Sequence, residues 1–91
     1  MNVEIRRDPT VYKAYLDGER VGQLTYSRHG DVVTALHTTV SEDAEGQGVG
    51  GELARTLLDD ARAEGKRVDA QCPFVASWIK RHQDYADLLV G

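Results

Sequence analysis

The chain has 91 residues, 41% hydrophobic and 29% charged, with a formal net charge of −4. That length suits one domain with a modest core, the composition excludes a disordered chain, and the negative charge argues against broad binding to nucleic acid or an anionic membrane. No run approaches the ~20 apolar residues of a membrane span, and the stretch from Met1 to Arg7 lacks the apolar block of a secretory signal. Cys72 is the single cysteine, so the fold stands without an internal disulfide and the expected location is cytoplasmic.

Val3, Ile5 and Arg7 alternate with Asn2, Glu4 and Arg6, which is the period of a strand. After the break at Asp8-Pro9-Thr10, a second strand runs from Val11 to Leu16 with Tyr12, Ala14 and Leu16 on one face. Asp17-Gly18 closes a hairpin, because a type I′ turn needs positive φ at both central residues. A third strand is predicted from Arg20 to Ser27. His29-Gly30 turns the chain again, and Asp31 to Val40 is predicted as the longest strand, with Val32, Thr34, Leu36, Thr38 and Val40 sharing a face. The short links imply an antiparallel meander of four strands.

Past the polar link from Ser41 to Glu45 the character changes. Gly46, Gly48, Gly50 and Gly51 crowd one segment, and Val49, Leu53, Leu57, Leu58 and Ala61 then recur at helical spacing. Gly65 suits a left-handed cap. Arg67 to Cys72 is predicted as a fifth strand, parallel to the fourth because a helix returns the chain. As an exposed sheet edge it would leave a monomer or a weak dimer as the expected state. Pro73 opens a second helix from Phe74 to Arg81, striped by Val75, Trp78 and Ile79, and residues Asp84 to Leu89 add a last helical turn or two. The predicted fold class is α+β: a mixed sheet of about five strands, four in an antiparallel meander and the fifth parallel, with two main helices, residues 1–91 forming one domain.

A glycine cluster between a strand and a helix N-terminus presents bare N–H groups, and the helix dipole adds about half a positive charge there, which suits phosphate. A Walker A loop would need Lys and Ser or Thr where Glu52 and Leu53 stand. Gly46, Gly48 and Gly51 match G-x-G-x-x-G, with Asp69 near the place of a ribose-binding acid. The preceding meander and the lack of further βα units nevertheless disfavour a dinucleotide fold.

The segment resembles the coenzyme A signature Q/R-x-x-G-x-G/A of the GCN5-related N-acetyltransferase (GNAT) superfamily, with Gly48 and Gly50 on its glycine positions and Glu45 where Arg or Gln is preferred. The stretch from Cys72-Pro73-Phe74 through Trp78-Ile79-Lys80-Arg81-His82 to Tyr85-Ala86-Asp87-Leu88 is similar to the second half of very short, stand-alone GNAT-like proteins. The resemblance implies that acetyl-CoA or coenzyme A is bound, its pyrophosphate at Gly46, Gln47, Gly48, Val49, Gly50 and Gly51. The pantetheine arm would lie in a splay between strands four and five, beside Thr38, Thr39 and Val40. It implies an acetyl-CoA-dependent N-acyltransferase working by direct transfer from the thioester, with a non-catalytic coenzyme A binding or sensing module as the alternative.

Catalytic candidates near that cleft are Cys72, His82 and Tyr85, with His37 and Asp69 as further titratable groups; no metal is implied. Cys72 either accepts an acyl group or packs, His82 either orients the cofactor or caps helix carbonyls, and Tyr85 either approaches the cofactor sulfur or packs on the last helix. Arg55, Lys80 or Arg81 would offset the carboxylates Glu42, Asp43 and Glu45 if they reach the loop. The larger enzymes build much of their acceptor pocket from helices for which Asp8-Pro9-Thr10 leaves no room. An open acceptor side follows, suited to a protein or peptide amine (a lysine or an N-terminus) or to no acceptor at all. In the third reading, a small interaction domain, Phe74, Trp78 and Tyr85 contact a partner.

Overall fold

The computed structural model describes residues 3–90; Met1, Asn2 and Gly91, which belong to the predicted domain, lie outside them. Five strands, β1 (Val3–Asp8), β2 (Val11–Leu16), β3 (Glu19–His29), β4 (Val32–Val40) and β5 (Arg67–Ala70), form one sheet in chain order. The first four are antiparallel neighbours, and β5 pairs in parallel with β4. Helix α1 (Val49–Ala63) makes the crossover, α2 (Pro73–Lys80) follows β5, and 3-10 turns occupy Glu42–Ala44 and Gln83–Leu88. This is the α+β mixed sheet with two main helices that the residue pattern predicts.

The hairpin turn takes the expected form, with φ of 51° at Asp17 and 83° at Gly18. Along β2, Tyr12, Ala14 and Leu16 are buried, and α1 buries Leu53, Ala54, Leu57, Leu58 and Ala61 against the sheet. Removing each such leucine from water stabilises the fold by about 1.5–3 kcal/mol. Asp60 adds a polar clamp. It accepts two hydrogen bonds from Arg7, at 2.8 and 3.2 Å, and one from the Tyr12 hydroxyl at 2.8 Å, tying β1 and β2 to α1. Burial acts to raise the Asp60 carboxyl. The hydrogen bonds from Arg7 and Tyr12, with the charges of Arg7 and Arg28, outweigh burial and hold it below its ordinary value.

Three expectations are corrected. The longest strand is β3, with 11 residues against 9 in β4, because pairing with β4 extends it through His29. Val32, Thr34, Leu36, Thr38 and Val40 do not share one face. The register jumps from Tyr26↔Ala35 to Thr25↔His37, leaving Leu36 as an extra residue; such a bulge reverses the facing of everything beyond it. Val33 and Ala35 therefore face the core before the bulge, and Thr38, opposite core-facing Leu24, does so after it. Finally, β5 ends at Ala70, and Cys72 instead is the N-cap of α2. Its outer edge is partly covered, since Leu89 bridges Val68 in parallel and the Val90 N–H donates to the Val68 carbonyl at 3.0 Å. Among the described residues no helix is long and apolar enough to cross a membrane, and no cluster of His, Cys, Asp and Glu could hold a metal ion.

Candidate functional site

Strands β4 and β5 part company early. They pair only from Val32 to Ala35, and the last link is the Cys72 N–H donating to the Ala35 carbonyl at 2.9 Å. Pro73 then turns the chain into α2, so β4 runs on to Val40 with no strand on that side. The Ser41 N–H donates to Val21 on the β3 side at 2.8 Å. By strand alternation Thr38 and Val40 then aim their backbone groups the other way, into the gap. The gap is a groove of about 490 Å³ lined by Thr38, Thr39, Val40, Ala44, Glu45, the glycine loop and Phe74.

At one end of the groove α1 begins. Gly48 occupies its N-cap with φ 81° and gives no side-chain cap, and Gly46 has φ 85°. Both conformations are costly for other residues, and a Cβ on either would meet nothing within 4 Å. The first turn of a helix has N–H groups without intrahelical acceptors. Among the described residues, the N–H groups of Gly46, Gly48, Val49, Gly50 and Gly51 have no protein acceptor. The Gln47 N–H, in contrast, donates to the Ala44 carbonyl at 3.3 Å, and its side chain bonds the Asp43 carbonyl at 3.4 Å. Gln47 therefore stands outside the groove lining that contains the other predicted loop residues and Thr38, Thr39 and Val40.

Gly50 and Gly51 have a different reason to be glycine. A Cβ on Gly50 would lie 2.7 Å from Phe74 Cζ, and one on Gly51 would lie 3.1 Å from Trp78 Nε1. They let α2 press its aromatic stripe against the first turn of α1. Phe74, expected at most as a partner contact, is thereby made a groove wall. Its position just after the helix-opening Pro73 was the one available signal.

The catalytic candidates separate. Cys72 is buried where the strands diverge, its Sγ 3.2 Å from Oγ1 of Thr38, a groove-lining residue. His82 is occupied by α2: its ring stacks on Trp78 at 3.8 Å, and Nδ1 lies 2.8 Å from the Trp78 carbonyl, which fits an Nδ1–H tautomer capping the helix end. The Tyr85 hydroxyl donates to Asp59 at 2.7 Å, a bond that, with some burial, raises its pKa. Asp59 is eight residues beyond Gly51 on α1, about 12 Å along the axis, so Tyr85 is not brought to the groove. His37 is exposed, and Asp69 bonds Gln71. Arg55 lies over Trp78 and Arg81 bonds Ser77; neither they nor Lys80 line the groove.

Comparison with known proteins agrees with this geometry. The family model for the GCN5-related N-acetyl-transferase matches residues 11–88. A GCN5-like protein from Staphylococcus aureus, solved by NMR, is 25% identical with a TM-score of 0.77, over 99% of this chain and 90% of that one. The ribosomal-protein-S18-alanine N-acetyltransferase of Escherichia coli is similar in fold, at 18% identity and a TM-score of 0.64, over 71% of this chain and 43% of that one. N-acetylglutamate synthase from Neisseria gonorrhoeae, solved with coenzyme A and N-acetyl-glutamate, gives 19% identity and a TM-score of 0.65, over 88% of this chain and 22% of that one. No curated protein matches the sequence significantly. Matched by the family model over most of its length and carrying that family's sheet, loop and helix order, the chain belongs to the GCN5-related N-acetyltransferase family.

Proposed function

We propose that the chain binds acetyl-CoA in the β4–α1 groove and catalyses direct transfer of the acyl group to an amine, that of a protein or peptide best suiting its open form. The observation that carries this reading is the set of five N–H groups without protein acceptors around the start of α1. Such a nest suits a pyrophosphate, because fixed backbone dipoles stabilise anion charge without reorganising. The backbone groups of Thr38 and Val40 supply strand-like partners for the amides of a pantetheine arm. When bound, acetyl-CoA supplies a thioester activated toward amines. Cys72, buried directly behind the groove-lining Thr38 with its thiol 3.2 Å from the Thr38 hydroxyl, is the catalytic candidate nearest to a departing thiolate, and Thr38 would link the two for proton transfer. His82 and Tyr85 serve packing and capping in this reading.

One observation favours the alternative of a coenzyme A binding or sensing module. Among the described groove-lining residues there is no histidine, and the one carboxylate, Glu45, stands at the loop end, where the pyrophosphate belongs. Among the described residues the groove lining thus offers no general base for the amine. The test has two stages. Acetyl-CoA at ~100 times its dissociation constant should stabilise the fold by ~2.7 kcal/mol in a thermal shift assay, and mass spectrometry should then find acetylated amines in a peptide panel. A null thermal shift defeats both readings. A full shift with an unmodified panel selects the binding module.

A further inference from the structure

We propose that the seam between α1 and α2, centred on the indole N–H of Trp78 and the guanidinium of Arg55, is a second anion subsite that takes the 3′-phosphate of coenzyme A. This rests on the cofactor reading above. Trp78 is 4% exposed, yet among the described residues its N–H has no hydrogen-bond partner. No fully buried side-chain polar atom is left unsatisfied, so this N–H is not sealed in the core. It opens beside the first turn of α1, where a Cβ on Gly51 would lie 3.1 Å from Nε1. A buried aromatic that could have hidden its one polar atom instead directs it next to the N–H nest.

Arg55 strengthens the case. It lies one turn after Gly51 on the same side of α1, with its guanidinium carbon 5.7 Å from the Trp78 ring centroid. The protein's net charge is −4, and Arg6, Arg7, Lys13, Arg28 and Arg62 are engaged by carboxylates. Arg55, like Arg20, Lys66, Arg67, Lys80 and Arg81, makes no salt bridge among the described residues, and of these it is the one that lies over Trp78. A guanidinium without a carboxylate partner, over the tryptophan ring and one turn from the loop N–H groups, is suited to a phosphate monoester, which offers the bidentate contacts that Arg makes best. His82, stacked on the indole at 3.8 Å, fixes the ring and hence the direction of its N–H. In coenzyme A the adenosine ribose joins the pyrophosphate to the 3′-phosphate, so a ligand seated in the nest has its second anionic group close by.

The test compares coenzyme A with 3′-dephospho-coenzyme A by calorimetry. The wild-type protein should bind the dephospho form at least about tenfold more weakly, since a charge-assisted contact is lost. In Arg55→Gln, and separately in Trp78→Phe, which keeps the stacked ring and loses the N–H, affinity for coenzyme A should fall to the dephospho level while dephospho-coenzyme A binding stays unchanged. Trp78 is the only tryptophan, so in the wild type its emission should respond more to coenzyme A than to the dephospho form. Equal wild-type affinities for the two ligands, or an Arg55→Gln variant that loses both equally, would overturn the subsite. Failure of both ligands to bind would overturn the cofactor reading along with it.

Discussion

Gly48→Val isolates the role of the left-handed N-cap. At φ 81° a β-branched residue is an outlier, and relief of the strain rotates the peptide planes on either side of it. The N–H groups of Gly48 and Val49 then leave the nest. Losing two charge-assisted hydrogen bonds at about 1.5 kcal/mol each weakens binding by roughly two decades. Acetyl-CoA supplied at ~100 times the wild-type dissociation constant then sits near the variant's own, and ligand stabilisation drops from ~2.7 to ~0.4 kcal/mol. For a domain of this size that reduces the shift from about 10–20 °C to about 2–3 °C. Gly30→Val is the control. Gly30 also has positive φ, 60°, with nothing within 4 Å of a Cβ, but it sits in the β3–β4 turn, about 30 Å along β4 from Val40. Both variants should lose apo stability, and only Gly48→Val should lose the ligand shift. An unchanged ligand shift in a folded Gly48→Val protein would refute the nest.

Two further predictions concern packing and acid stability. Gly50→Ala should destabilise the protein only slightly, by up to about 1 kcal/mol in denaturant titration, because the new methyl meets the tip of the Phe74 ring at 2.7 Å and that ring, exposed on one side, has room to shift. In a Phe74→Ala background the same change should become neutral or stabilising, since Ala is then only the better helix former; additivity of the two changes would show that the contact is not formed. Asp60 is held below its ordinary value of 3.8, so its share of stability is present above that pH and lost as pH falls through the lower folded value. The stability gap between wild type and Asp60→Asn should therefore be widest above pH 4 and close below it, and a gap that stays constant down to pH 2 would contradict the Arg7–Asp60–Tyr12 clamp.

Much of the sheet was legible because its signals are local. Asp17-Gly18 admits few turns, Tyr12, Ala14 and Leu16 alternate cleanly, and a helix between β4 and β5 makes a parallel pair nearly obligatory. The bulge was not legible. From Val32 to Leu36 β4 is almost wholly apolar, with Thr34 itself buried, so either alternating set could have been the core face and nothing marked Leu36 as the extra residue. The loop was readable as a glycine cluster at a helix start, yet the reasons for its glycines divide: Gly46 and Gly48 answer to backbone conformation, Gly50 and Gly51 to the aromatic residues of α2. That division depends on where α2 lands, which no local pattern encodes. His82 and Tyr85 misled for the same cause, since a helical stripe shows which residues share a face and not what the face meets.

The acidic balance of the chain bears directly on how it could hold a ligand as anionic as coenzyme A. No Lys or Arg lines the groove, so in the proposed binding mode neutral N–H groups and a helix dipole would carry the phosphates, with Glu45 opposing them. Two unit charges about 6 Å apart in water interact by about 0.7 kcal/mol, so Glu45→Gln should tighten acetyl-CoA binding by roughly threefold for each unit of pyrophosphate charge it faces. The gain should be largest at low ionic strength and shrink toward 0.3 M salt, as screening falls within the separation of the charges. Calorimetry at 20 mM and 300 mM salt measures it. A Glu45→Gln variant that binds no better than wild type at 20 mM would place the phosphates away from Glu45, and with them the start of α1 as their seat.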